Sequence, residues 1–201
     1  MPHILKNKNL EIHLDLPTEN YNFSRFDWTG KIVEVTFNNI PVTTIEDKAS
    51  KNEHHIGKGF YNEFGIDSAI GFDETEIGDW FHKIGVGLLK KEGYEYFFNK
   101  NYKINPAKFK VTAKVNSILI ICESESVNGY SYILKKEILL LDNAFTIKYN
   151  LQNTGKKNIS TSEYTHNFTA INHDSIGRNY VLKFPFEIKP ELFTETVNPE
   201  Q

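Results

Sequence analysis

Two hundred and one residues fit one large domain, and all-β sandwiches of this size commonly form a single unit. An aromatic share of 13%, with 15 Phe and 10 Tyr, supplies a substantial core and suits half-buried pleated surfaces. A formal net charge of −3, with no concentrated Lys and Arg patch, excludes nucleic acid as a partner, and the single cysteine excludes an internal disulfide.

The opening residues, Met1-Pro-His-Ile-Leu-Lys-Asn-Lys, contain no sustained apolar run of the kind a secretory signal needs. No apolar stretch approaches the roughly 20 residues required to span a bilayer. A soluble protein of the cytoplasm, with no membrane partner, is therefore expected. Leu10-Glu-Ile-His-Leu-Asp-Leu16 alternates apolar and polar side chains and predicts a half-buried strand, with Glu11, His13 and Asp15 on its solvated face. An aromatic segment follows, Asn22-Phe-Ser-Arg-Phe-Asp-Trp-Thr-Gly30, and then a second strand, Lys31-Ile-Val-Glu-Val-Thr-Phe37. Asn38-Asn-Ile-Pro41 is a turn, after which Val42 to Ile45 begins the return.

From Lys48 to Gly93 the character changes. Glycines at 57, 59, 65, 71, 78, 85, 87 and 93 alternate with acids and aromatics, which reads as long loops of the functional kind. Strand patterns resume at residues 94–98, 109–115, 117–123, 130–141, 145–151, 159–168 and 180–184. Asn116-Ser117, Val127-Asn-Gly129 and Leu141-Asp-Asn143 supply turns between them. Cys122 lies in the run Ser117-Ile-Leu-Ile-Ile-Cys122 and is read as a buried structural thiol. Residues 185–201, with prolines at 185, 190 and 199 and glutamates at 187, 191, 195 and 200, read as a loop or tail. Many strands joined by short turns, without a helical period, predict an all-β chain: an antiparallel meander folded into a sandwich, residues 1–201 forming one domain.

His166 is the first candidate for chemistry. Alternation puts Tyr164, His166 and Phe168 on one face of their strand and Thr165 and Asn167 on the other. Such an imidazole is either a hydrogen-bonded core residue or a proton donor held above a cleft. Gly57-Lys-Gly-Phe-Tyr-Asn-Glu-Phe-Gly65 lacks the order of a phosphate-binding loop. Its Tyr61, Asn62 and Glu63 offer the mixture a sugar needs, an aromatic wall for the C–H face and polar groups for the hydroxyls. His54-His55 invites a metal reading, but adjacent residues of an extended chain face opposite ways; neither a metal nor a cofactor is expected.

The run from Tyr149 to Phe168 resembles the histidine-bearing segment of the aldose 1-epimerases, or galactose mutarotases. In that family a strand ends in N-x-G and returns with T-x-H-x-Y-F-N. Asn153-Thr-Gly155 fits the first part and Thr165-His166-Asn167-Phe168 the second. Two departures mark a divergent member: Glu163-Tyr164 stands where the family has Asn-Leu, and the residues after Phe168 are not the family's Asn-Leu.

The resemblance implies a galactose mutarotase-like sandwich, and implies that His166 protonates the ring oxygen of an aldohexose while a base takes the anomeric proton. It further implies a second histidine and an arginine that hold sugar hydroxyls, for which His82, beside Trp80, and Arg25 are the candidates. Arg25 has two other readings, an ion pair with Asp27 or packing on Trp28. The family's base is a glutamate on a strand near the C-terminus. Only 35 residues follow His166 here, none in such a context, so the resemblance also implies that the family's last strands are missing from this sequence. Three functions stay open: an epimerase interconverting hexose anomers, a catalytically inactive sugar-binding relative, and a β-sandwich subunit that binds another protein. Exposed strand edges in an incomplete sandwich point to a homodimer.

Overall fold

A computed structural model of the chain describes residues 3–49, 54–174 and 176–187. Among them run β1 (His3–Lys6), β2 (Leu10–Asp15), β3 (Lys31–Phe37), β4 (Ile40–Pro41), β5 (Phe60–Phe64), β6 (Trp80–Lys83) and β7 (Gly87–Lys90). The series continues with β8 (Ile104–Pro106), β9 (Lys108–Ala113), β10 (Ser117–Glu123), β11 (Tyr132–Leu140), β12 (Phe145–Asn153) and β13 (Glu163–Asn167), and one 3-10 turn, Ile171–His173. The larger sheet has the order β1-β2-β3-β5-β13 with β4 beside β3, the second is β12-β11-β10-β9, and a small third is β6-β7-β8. All ladders between these strands are antiparallel, so the chain is an all-β sandwich.

The two larger sheets meet through one apolar layer. Leu5, Ile12, Leu14 and Ile32 from the first face Ile118, Ile120, Ile138 and Leu140 from the second. Each such side chain contributes on the order of 1.5–3 kcal/mol by leaving water. In β11 every second residue from Tyr132 to Leu140 is buried, the period of two that aims one face inward. A second cluster unites Phe64 and Ile84 with Cys122, Tyr132 and Leu134. Cys122 is fully buried, as its apolar run predicts, and burial pushes its thiol up to about 12. On the far side of the first sheet, aromatic residues of segment 21–28 pack with Tyr61, Phe72, Phe81 and Tyr102, and the small sheet closes over them. Among the described residues no helix is long and apolar enough to cross a membrane.

Several expectations are corrected. The glycine-rich middle is not loop throughout, because β5, β6 and β7 run within it. Their residues are buried on nearly every position, so the alternation that marks a half-buried strand is missing from the sequence. Residues 94–98 alternate like a strand but enter no ladder; Tyr96 instead turns inward and stacks on Tyr102. Residues 180–184 form no strand and are exposed from Val181 onward. In β2 the pairing shifts between His13 and Leu14, so Leu14 and Asp15 are both buried and Asp15 leaves the solvated face assigned to it. The turn at Asn38-Asn39 is a two-residue hairpin in which both asparagines have positive φ. Of residues 185–201, only 185–187 are described; the candidate base positions Glu191, Glu195 and Glu200 lie outside the described residues.

Candidate functional site

Strand β5 owes its position to two glycines. Gly59 and Gly65 bracket Phe60-Tyr-Asn-Glu-Phe64 with φ of 58° and 61°. A Cβ on Gly59 would lie 2.2 Å from the Ile32 carbonyl oxygen, so only glycine lets β5 run in against β3. On its other edge β5 pairs with β13, Tyr61 opposite His166 and Glu63 opposite Tyr164. Residues opposite one another in an antiparallel ladder share a face, so Tyr61, Glu63, Tyr164 and His166 project to one side of the sheet. Asn62 and Thr165 project to the other, where the Asn62 amide donates to Glu163 at 2.8 Å.

On the first side a buried ion cluster forms. His166 Nε2 lies 3.1 Å from Glu63 Oε2, and Arg25 Nε donates to the same oxygen at 3.2 Å. The guanidinium then clasps Glu46 with two bonds, at 2.9 and 3.0 Å, and donates to the His55 carbonyl at 2.8 Å. Lys83 Nζ stands 3.6 Å from Glu63 Oε1 and donates to the Gly65 carbonyl and the Tyr96 hydroxyl. Glu63 is completely buried and Arg25 is 5% exposed. Burial pushes the Lys83 ammonium down to about 8, with Glu63 opposing. Burial alone would raise the Glu46 carboxyl, but Arg25 and the Gly57 N–H outweigh it and hold Glu46 below its ordinary value.

The imidazole of His166 sits in an aromatic frame. Phe26 meets it edge-on at 5.2 Å, Phe168 stacks at 5.6 Å, and Tyr164 lies 4.4 Å away. With Nε2 turned to a carboxylate, the neutral ring is fixed in the tautomer that carries its hydrogen there. Nδ1 is then the nitrogen that can accept a proton, and only the doubly protonated ring can deliver one from it. His166 is 9% exposed. A cavity of about 600 Å³ has Glu46 and Phe168 in its wall beside Thr44 and Ala170, but His166, Arg25 and Glu63 do not line it.

Three residues singled out separately in the sequence, Arg25, Glu63 and His166, are thus brought into contact. Of the readings open for Arg25, the Asp27 pair and the Trp28 stack are not formed: its partners are Glu46, Glu63 and the Phe26 and Phe98 rings. Tyr61 is buried, and its ring packs edge-on against Phe26 and Tyr21. Tyr61, Asn62 and Glu63 are all buried in β5, so they form no open wall for a sugar. Trp80 is half-buried at the start of β6. His82 points away from the cluster. Alternation along β6 sends Lys83 toward Glu63 and His82 toward Tyr130 and Tyr132. Its ring is 1% exposed, and neither nitrogen has a hydrogen bond of good geometry, the Val127 and Tyr130 backbones being merely near.

A second buried network was missed in the sequence. Lys136 Nζ donates to Asp27 Oδ2, the Gly30 carbonyl and Asn62 Oδ1, using all three of its hydrogens. Asp27 also accepts from the Tyr149 hydroxyl at 2.6 Å and from Thr29. The signal was present: Lys136 occupies an inward position of β11, between Leu134 and Ile138, where a lysine is out of place unless paired. Lys83, beside Phe81 and Ile84, carries the same signal. No family model, no curated protein and no solved structure matches this chain.

Proposed function

We propose that the chain is a carbohydrate-binding protein of the aldose 1-epimerase kind, which interconverts the α and β anomers of a hexose with His166 as general acid. The observation that carries this reading is the convergence of Arg25, Glu63 and His166, drawn from three separate strands and segments into one hydrogen-bonded cluster. Opening a pyranose requires a proton delivered to the ring oxygen and another removed from the anomeric hydroxyl. In this reading Glu63 orients the imidazole through Nε2, Arg25 holds Glu63, and the doubly protonated ring hands over its Nδ1 proton, returning to the neutral Nε2–H form. Glu63 is not the opposing base, because both of its oxygens face protein cations and the imidazole itself. The cavity walled by Phe168 and Glu46 is large enough for a monosaccharide, and for His166 to reach a sugar there its ring would have to become accessible from that side.

The burial of Glu63 and Arg25 favours one second reading, a catalytically silent sugar-binding relative, since both face protein groups rather than an open cleft. Polarimetry on freshly dissolved α-glucose and α-galactose decides between the two. Acceleration over buffer is expected, together with a fall on the order of 100-fold or more in His166→Gln. An unchanged rate in that variant removes His166 from the acid role, and no acceleration by the native chain removes the epimerase reading.

A further inference from the structure

His82 takes no part in the cluster around Glu63, yet both of its ring nitrogens are buried without a hydrogen-bond partner. A neutral imidazole carries one donor and one acceptor, whereas an imidazolium carries two donors and a charge. The titratable groups that face the ring are Tyr130, at 6.4 Å, and Tyr132, at 5.9 Å. Both phenols are raised, Tyr130 by its bond to Glu74 and Tyr132 by burial. The neighbour in β6, Lys83, turns to Glu63 instead. Among the described residues no carboxylate is paired with His82.

The main chain of Val127 and Tyr130 lies against the imidazole. These two residues close a hairpin tip by donating to each other's carbonyls, at 3.0 and 2.9 Å. Asn128 and Gly129 between them have φ of 53° and 83°, the two-residue turn with both central residues left-handed. The carbonyls that a protonated ring would reach for are thus already in use. Behind the tip, the Gly129 carbonyl accepts from the Lys156 and Lys157 amides, so the turn at 154–157 moves with it. In front, side chains hold the tip to the loop before β6. The Asn128 amide donates to Thr75 Oγ1 at 3.2 Å, the Tyr130 hydroxyl to Glu74 at 2.6 Å, and Lys157 pairs with Glu74. Ion pairs as exposed as this last one contribute little.

A charge on His82 would have neither a free acceptor nor a counter-charge, so it is tolerated only where water reaches the ring. Of the elements around His82, the tip has the weakest hold. Parting it from Glu74 and Thr75 breaks side-chain bonds and no strand ladder.

We infer that residues 127–130 form a proton-operated cover, which lifts from Glu74 and Thr75 when His82 takes up a proton. The latch itself does not titrate in the same range. Lys157 and Tyr130 hold the Glu74 carboxyl below its ordinary value, so it stays charged between pH 7.5 and 5.5.

The test plants a thiol beneath the cover. Thr75 is 4% exposed, and Thr75→Cys in the whole chain is labelled with a pyridyl disulfide at pH 7.5, 6.5 and 5.5. Each rate is divided by that of the unfolded chain at the same pH. The quotient is expected to rise about tenfold over this range, the ratio of charged to neutral imidazole at pH 5.5 for an ordinary value of about 6.5. Native Cys122, fully buried in β10, is expected to label far more slowly, and His82→Phe to flatten the rise. His82→Gln serves if the phenylalanine does not pack. A flat quotient in Thr75→Cys overturns the cover, as does an equal rise in the His82 variant. Labelling of Cys122 in step with the introduced thiol overturns it too, because the opening is then global. None of these outcomes bears on the polarimetry.

Discussion

Glu63 faces two cations and an imidazole without any access to water, so its charge is what makes the burial of Arg25 and Lys83 tolerable. Glu63→Gln keeps the volume and removes the charge. Arg25 would retain the two bonds to Glu46, but Lys83 would lose the one carboxylate it pairs with. Breaking a buried pair from one side typically costs about 3 to 5 kcal/mol, and a loss of that order is expected in the urea unfolding of Glu63→Gln. Asp27 and Lys136 obey the same rule, yet replacing both partners by apolar residues should cost less than replacing either, because no charge is left stranded. A double-mutant cycle with Asp27→Leu and Lys136→Met measures that difference. At this scale Glu63 and His166 could be picked as candidates by residue type and neighbours, whereas Arg25 and the acid role of His166 came only from the resemblance. Lys83 carried only the mark of a lysine among apolar neighbours and Glu46 none, since nothing local links either to its partners in the cluster.

The hairpin of β6 and β7 turns on Gly85, which has a φ of +78°. A Cβ there would lie 2.6 Å from the Asp27 carboxylate, itself pinned by Lys136 and Tyr149. Gly85→Ala therefore meets both a strained backbone and a neighbour that cannot retreat, and a loss of about 2 to 3 kcal/mol is expected. Gly78 is the control. Its φ is +98° but its added Cβ meets nothing within 4 Å, so Gly78→Ala should cost about 1 kcal/mol, from backbone strain alone. Equal losses for the two in chemical denaturation would contradict the assignment of Asp27 as the obstacle. The strands legible in advance were β2, β3, β10, β11 and β12, whose side chains alternate between core and surface or nearly so. Strands β5 to β7 hid among glycines because both of their faces are covered, leaving no alternation to read.

Stability of the whole molecule should rise with pH across two windows. Burial holds the His82 imidazole below its ordinary value, with the nearby Val127 and Tyr130 carbonyls only partly opposing. The unfolded chain thus binds a proton at His82 that the folded chain refuses, so stability is full above about pH 6.5 and falls as the solution is acidified below it. Melting temperatures are expected to drop between pH 7.5 and pH 5.5, with part of the slope missing in His82→Phe. Burial also lowers Lys31 and Lys83 to about 8, against the attraction of Asp15 and Asp27 for the former and Glu63 for the latter. Between pH 8 and about 10 the unfolded chain retains protons that the folded chain gives up, and stability climbs again. Above about 10 the buried tyrosines, Tyr61 and Tyr132 among them, oppose this, because burial raises them and the folded chain keeps protons that the unfolded one loses. A Lys31→Met variant with an undiminished rise between pH 8 and 10 would remove Lys31 from this account.

The all-β class, the alternating strands and the buried Cys122 followed from the sequence by itself, because each rests on spacing within a few residues. The partners of His166, the buried Lys136 and the inward turn of Asp15 were decided by tertiary structure. Each depends on which strands lie side by side and on a one-residue shift in their pairing. A pattern of period two records that a side chain faces inward; it does not record what is waiting there.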